Sequence, residues 1–243
     1  MIKVAHLTKR FVQHVAVDDL SFSVEPGEVV GFLGPNGAGK STTMKMLTGF
    51  LRPCSGSVSI CGFDIGKQTL QAQRLIGYLP EGAPCYGDMT VRAFLSFIGE
   101  VRGYRGQALQ ERVDRAVALL ELERVLEQNI DTLSKGFKRR VGLAQAVLHD
   151  PKVLILDEPT DGLDPNQKHQ VRKLIKSLAV DRIVIISTHI LEEVSALCTR
   201  AMLISHGRLL IDETPYALQS RSRYHQAVTL LAEQTLDRKL LQA

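Results

Sequence analysis

No stretch of this sequence approaches the ~20 consecutive apolar residues that a membrane-crossing helix needs. The start, Met1-Ile2-Lys3-Val4, enters a strand pattern at once and lacks the apolar centre of a secretory signal. The expectation is a chain that neither spans nor crosses a bilayer. Cysteine is sparse. Cys54, Cys61, Cys85 and Cys198 form no C-x-x-C pair, which argues against zinc and for reduced thiols in a cytosolic protein. An excess of charge of one sign is also nearly absent: a net +4 is too weak to imply nucleic acid. The local cluster Lys138-Arg139-Arg140 reads as a solvated helix face before it reads as a contact for phosphate or an acidic partner. No internal repeat, low-complexity segment or sustained heptad is visible. What remains is an ordinary globular composition. Its 243 residues are enough to bury a core as one large domain or a domain with a subdomain.

The first ~25 residues alternate apolar and polar positions, with Val15 and Val17, then Phe22 and Val24, and predict short strands. Pro26-Gly27 marks a turn before the apolar run Val29 to Leu33. A helix then ends near Gly49, a turn falls at Pro53 to Gly56, and Ser57 to Ile60 alternates as a strand. From about Thr90 the pattern changes. Leu109, Val113, Ala116 and Leu120 recur at helical spacing, so residues 90–148 are expected to form a helical subdomain inserted into an α/β core. Val153 to Leu156 and Ile183 to Ile186 are too apolar to be half exposed. Alternating with helical patterns, they predict a parallel sheet covered on both faces. From about Ser222 an apolar pattern restarts at Val228 to Leu231, so residues 221–243 read as the start of a possible truncated C-terminal extension.

The most informative segment is Gly34-Pro35-Asn36-Gly37-Ala38-Gly39-Lys40-Ser41-Thr42, which fits G-x-x-x-x-G-K-[ST] between a strand pattern and a helix pattern. Glycines let the backbone N–H groups close around phosphate oxygens, and the following helix presents the positive end of its dipole. Lys40 is expected on the β- and γ-phosphates and the Ser41 hydroxyl on Mg²⁺. Asp157 and Glu158 end the strand at 153–156, where ligands of open α/β sheets bind. Alone they would be an acidic turn. Downstream of a phosphate loop, Asp157 is expected on Mg²⁺ and Glu158 beside the γ-phosphate, orienting a water and taking its proton. Ser134 is an N-cap by type, with Gly136 leaving that helix start open to an anion. His189 follows the second buried strand and is expected to contact the γ-phosphate or the attacking water.

In that order the motifs resemble the nucleotide-binding subunit of ATP-binding cassette transporters, over residues 1 to about 220. Gly34 to Thr42 is similar to Walker A and Leu133 to Phe137 (LSKGF) to the LSGGQ signature. Leu154 to Pro159 is similar to Walker B with its glutamate, Gly162-Leu163-Asp164 to the D-loop, and Ser187-Thr188-His189 to the switch histidine. Phe11 stands where the family usually stacks an aromatic on adenine. Two departures are visible: Lys135 and Phe137 replace glycine and glutamine of the signature, and Glu81 of Tyr78-Leu79-Pro80-Glu81 replaces the usual Q-loop glutamine. Glu81 would still hold Mg²⁺ through oxygen, with added sensitivity to pH and metal.

The resemblance implies a RecA-like P-loop NTPase core with an N-terminal antiparallel β subdomain and the inserted helical one. It implies ATP and Mg²⁺ as ligands, and a head-to-tail homodimer or pseudo-dimer in which the helix start at Ser134 and Gly136 closes on the partner's ATP. It also implies separate transmembrane permease subunits, a place on the cytoplasmic face of the membrane, and the exporter branch that handles drugs, lipids or polysaccharides. The docking surface is expected around Glu81 to Met89 and on the helical subdomain. The alternatives are weaker. A soluble cassette ATPase on ribosomes carries two cassettes and one in DNA repair a long coiled coil. A GTP switch would carry N-K-x-D, which is absent. A binding module with a degenerate site would not keep Lys40, Asp157, Glu158 and His189 together.

Overall fold

A computed structural model describes residues 1–82 and 85–221. The expected C-terminal extension lies outside them, apart from residue 221, as do two residues of the expected docking loop. In chain order the elements are β1 (Ile2–Phe11), β2 (His14–Val24), β3 (Val29–Leu33), α1 (Lys40–Leu47), β4 (Ser55–Ile60), β5 (Phe63–Asp64), α2 (Thr69–Arg74), β6 (Ile76–Leu79), α3 (Val91–Val101), α4 (Gly106–Leu120), α5 (Lys135–Val147), β7 (Val153–Asp157), α6 (Pro165–Leu178), β8 (Ile183–Thr188), α7 (Leu191–Leu197), β9 (Arg200–Ser205), β10 (Arg208–Glu213) and α8 (Pro215–Ser220). Two sheets result, one ordered β2-β1-β4-β5 and antiparallel, the other β10-β9-β3-β8-β7-β6.

Strands β3, β7 and β8 are buried at every residue, which is why they read as unbroken apolar runs rather than alternations. Successive side chains still point to opposite faces. Leu154, Leu156, Val184 and Ile186 pack into a core shared with α3 to α6. Val153, Ile155, Ile183 and Ile185 pack into a second core with Met44, Met46 and Leu47 of α1 and the inner face of the antiparallel sheet. One face of the large sheet is therefore covered by helices. The other is covered by α1, α2 and a second sheet, which the strand-helix alternation did not foretell.

The large sheet is parallel from β6 through β9 but ends in an antiparallel strand, β10. The cause is local: β9 and β10 are joined by His206-Gly207, whose φ values of 50° and 76° suit a two-residue hairpin turn. The opening strands are longer than predicted, and their alternation breaks. Register shifts between β1 and β2 leave Ala16 and Val17 both buried while Val15 is exposed. That irregularity brings the Ala16 carbonyl against the phosphate loop, as described below.

One buried group couples the fold to pH. His149 donates from Nε2 to the Ile76 carbonyl at 3.0 Å, and its Nδ1 is buried with no partner among the described residues. Burial first, then the positive charges of Arg102 and Arg112, push its pKa down from 6.5 to about 4, against the pull of the Ile76 carbonyl and Asp150. Between those values the unfolded chain takes up a proton that the folded chain refuses. Stability should therefore fall as pH falls through this window, by up to roughly 3 kcal/mol from this group. The denaturant midpoint of the native chain should fall relative to that of His149→Gln as pH drops from neutral towards ~4. A difference that does not change with pH would remove His149 from this role.

Candidate functional site

Strand register decides where the chemistry gathers. Leu33 of β3 lies opposite Thr188 of β8, Asp157 of β7 opposite Ser187, and Leu79 of β6 opposite Leu156. Four neighbouring parallel strands thus end at one edge, and the segments beginning at Gly34, Pro80, Glu158 and His189 leave from it. That edge is where open α/β sheets bind ligands.

The loop from Gly34 turns tightly, with the Ala38 N–H donating to the Pro35 carbonyl at 3.2 Å. It enters α1 through Gly39, whose φ of 102° is left-handed. A Cβ there would lie 2.3 Å from the Ala16 carbonyl oxygen. Gly39→Ala should therefore combine the left-handed penalty with a backbone clash, costing more than the ~1–3 kcal/mol of strain alone. A melting temperature within a degree or two of native would contradict it. Helix α1 begins without a side-chain cap or an acidic residue in its first turn, so its N–H groups are open to an anion. Lys40 is buried and donates to the Gly34 carbonyl at 2.8 Å and the Pro35 carbonyl at 3.3 Å, with Glu158 at 3.6 Å.

Ser41 Oγ donates to Asp157 Oδ1 at 3.2 Å, and the Ser187 hydroxyl donates to the same oxygen. Asp157 is fully buried, and its Oδ2 has no partner among the described residues. A buried carboxylate oxygen left open beside a hydroxyl calls for a cation. Glu158 has a left-handed φ of 48°. Its N–H is held by the Ser187 carbonyl at 3.1 Å, and His189 Nδ1 meets both of its carboxylate oxygens, at 3.1 and 3.2 Å, one of which also faces Lys40. The structure brings the predicted acid and histidine into direct contact.

Around these groups runs a cleft lined also by Phe11, Asn36, Gly37, Thr42 and Glu81. Phe11 is 45% exposed, which rules out a place in the strand core. Ser134 and Gly136 are not part of this cleft. Ser134 caps α5, its Oγ accepting the Phe137 N–H at 3.4 Å. A Cβ on Gly136 would come within 2.8 Å of the Gln167 side chain. Both line a separate hollow with Gln167, Gln170 and Arg140, and this hollow shares no residue with the Lys40 cleft.

Two groups escaped the sequence reading. Arg139 is buried rather than solvated. It donates to the Asp161 carbonyl at 3.5 Å and keeps Nη1 without a partner among the described residues. Burial lowers its pKa, while Asp161, Glu158, Asp157 and Glu81 oppose that shift. Glu193 is buried as well, bonded to Thr160 and Thr188. The charge cluster placed Arg139 on a solvated face, and no role was assigned to Glu193 from the sequence. The signal that could have found Glu193 is helical spacing, since it shares a face of α7 with the buried Val194 and Leu197.

A family model described as ABC transporter matches residues 17–161. The chain is 40% identical over 214 residues to "Nod factor export ATP-binding protein I" of Burkholderia lata, covering 88% of this chain and 70% of that protein. It is 37% identical over 223 residues to "Probable multidrug ABC transporter ATP-binding protein YbhF" of Escherichia coli, covering 91% of this chain but 38% of that protein. Among solved structures, cbiO1 of Clostridium perfringens, part of the ABC transporter complex cbiONQ, superposes with a TM-score of 0.80 at 29% identity, covering 90% of each chain. The chain belongs to the ABC transporter family, as an ATP-binding subunit that hydrolyses ATP.

Proposed function

We propose that the chain energises export through separate transmembrane permease subunits, by closing on ATP as a head-to-tail dimer or pseudo-dimer at the cytoplasmic face of the membrane. The carrying observation is the division of the site. The cleft at Lys40 is lined by the phosphate loop, Glu81 and Glu158, with His189 set against Glu158, while Ser134 and Gly136 open on another hollow of the same chain. Two copies facing head to tail would set the α5 start of one against the phosphates held by the other.

Within the cleft, Lys40 and the α1 N–H groups hold the β- and γ-phosphates, and Phe11 offers its exposed face to adenine. Ser41 and Asp157, with its open oxygen, fit Mg²⁺, and Glu81 reaches the same cleft. The ion would neutralise phosphate charge. Glu158 orients a water and takes its proton as it attacks the γ-phosphorus, and His189 steadies that carboxylate and contacts the departing phosphoryl oxygens. Hydrolysis removes the bridging charge and lets the copies part.

Export as the direction is supported by the names of the relatives, one for Nod factor export and one for multidrug transport. No helix among the described residues is long and apolar enough to cross a membrane, so the force would act on other subunits. Exposed apolar side chains support docking on this side. Tyr86, 59% exposed, packs edge-on against Phe94 and the partly exposed Phe97, with exposed Leu70 and Val101 around a neighbouring groove.

Dimer closure can be tested without a permease. Glu158→Gln protein should shift from monomer to dimer with Mg-ATP and not with ADP. Adding Ser134→Arg should abolish the shift while leaving nucleotide affinity within about threefold, since Ser134 acts on the opposite copy's ligand. A dimer that persists in the double variant would sink the head-to-tail arrangement.

A further inference from the structure

We propose that Glu193 is a positioning residue that fixes the separation of Glu158 and His189; this rests on the proposed role of Glu158. Glu193 is 2% exposed, on a helix outside the cleft, and the chemistry above does not use it. Its Oε1 accepts the Thr160 hydroxyl, and its Oε2 accepts the Thr188 hydroxyl at 2.8 Å. Thr160 lies two residues after Glu158, and Thr188 immediately precedes His189. Both threonines are fully or almost fully buried.

One carboxylate therefore joins the two loops that present the reacting pair. The pair touches in front, through Glu158 and His189 at 3.1 Å, and the loops are tied behind by Thr160, Glu193 and Thr188. The Thr188 hydroxyl also accepts the Ile190 N–H at 3.1 Å, so the turn carrying His189 is pinned on both sides. A buried carboxylate is costly unless it is paired and hydrogen-bonded. Here Lys168 at 3.6 Å and Arg172 at 3.9 Å supply positive charge from α6, and the two hydroxyls supply the bonds. Because both oxygens are committed, the bridge has little freedom to lengthen or rotate. The polar contacts of Lys40 and Ser41 run to Gly34, Pro35, Asp157 and Glu158 and not to the bridge, so loosening it should disturb the water-activating pair and largely spare the phosphate cradle.

The test uses the full chain. Glu193→Ala, Thr160→Val and Thr188→Val should each lower kcat about 10- to 100-fold with KM within about threefold, because a displacement of ~1 Å at a reacting group costs of that order. Thr160→Ser and Thr188→Ser keep the hydroxyl and should restore most of the rate. In a Glu158→Gln background the same changes should add almost nothing, since they act through the residue already removed. A purely structural role predicts the opposite: kcat and KM altered together, serine without rescue, and losses that persist in the double variant. Glu193→Ala risks misfolding by leaving two buried hydroxyls unpaired, whereas the near-isosteric valine variants keep the test open. Turnover retained by Glu158→Gln overturns both this inference and the proposed role of Glu158. Turnover lost there yet kept in the valine variants overturns the inference alone.

Discussion

Glu158→Gln should bind ATP within a few-fold of the native chain while turning it over ~10²–10⁴ times more slowly, the range expected when a general base is lost. Gln keeps the size and the hydrogen-bonding reach of the side chain. The backbone that aims it is held independently, through the N–H donated to Ser187 on β8. What disappears is the capacity to take a proton from water, together with the negative partner of Lys40 at 3.6 Å and of His189 at 3.1 Å. Binding should survive because the phosphates rest on the Gly34 to Thr42 loop and the α1 N–H groups. Steady-state phosphate release and equilibrium nucleotide titration measure the two halves separately. Turnover within about tenfold of native would show that another group activates the water.

Lys40→Ala should act on the other half. Loss of one or two charge-assisted bonds to phosphate, about 2–4 kcal/mol, corresponds to a roughly 30- to 700-fold weaker affinity. The same ammonium also holds the loop's shape from inside, through the carbonyls of Gly34 and Pro35. Its removal leaves those carbonyls and the Glu158 carboxylate without their cation. The affinity loss should therefore come with a lower melting temperature in the nucleotide-free chain. Calorimetric titration with ATP gives the first quantity and a thermal melt the second. Unchanged affinity would contradict the cradle outright.

These groups were legible in the sequence because their spacing is itself the geometry. A loop that must wrap phosphate needs glycine where φ is positive, as at Gly39, and fully buried strands cannot conceal their apolar runs, as at Val153 to Leu156. Features set by pairing between distant segments were not legible. The shifted register that buries Ala16 beside Val17 depends on β1, and no pattern within β2 announces it. The hairpin at His206-Gly207 lay within reach of turn chemistry, with its glycine in place. Arg139 and Glu193 hid because a charge in a helix normally faces water. Only the packing of α5 and α7 turns them inward. The distance between the Ser134 hollow and the Lys40 cleft is likewise a product of how α5 is placed, and no local motif encodes it.

The exposed ring at position 11 carries an optical consequence. The chain contains no tryptophan, so its native fluorescence comes from five scattered phenols. An indole substituted for Phe11, which lies open beside the phosphate loop, would be the lone red-shifted emitter in the molecule. Its quenching by a stacking purine would time the arrival of the base, separately from any event at the triphosphate.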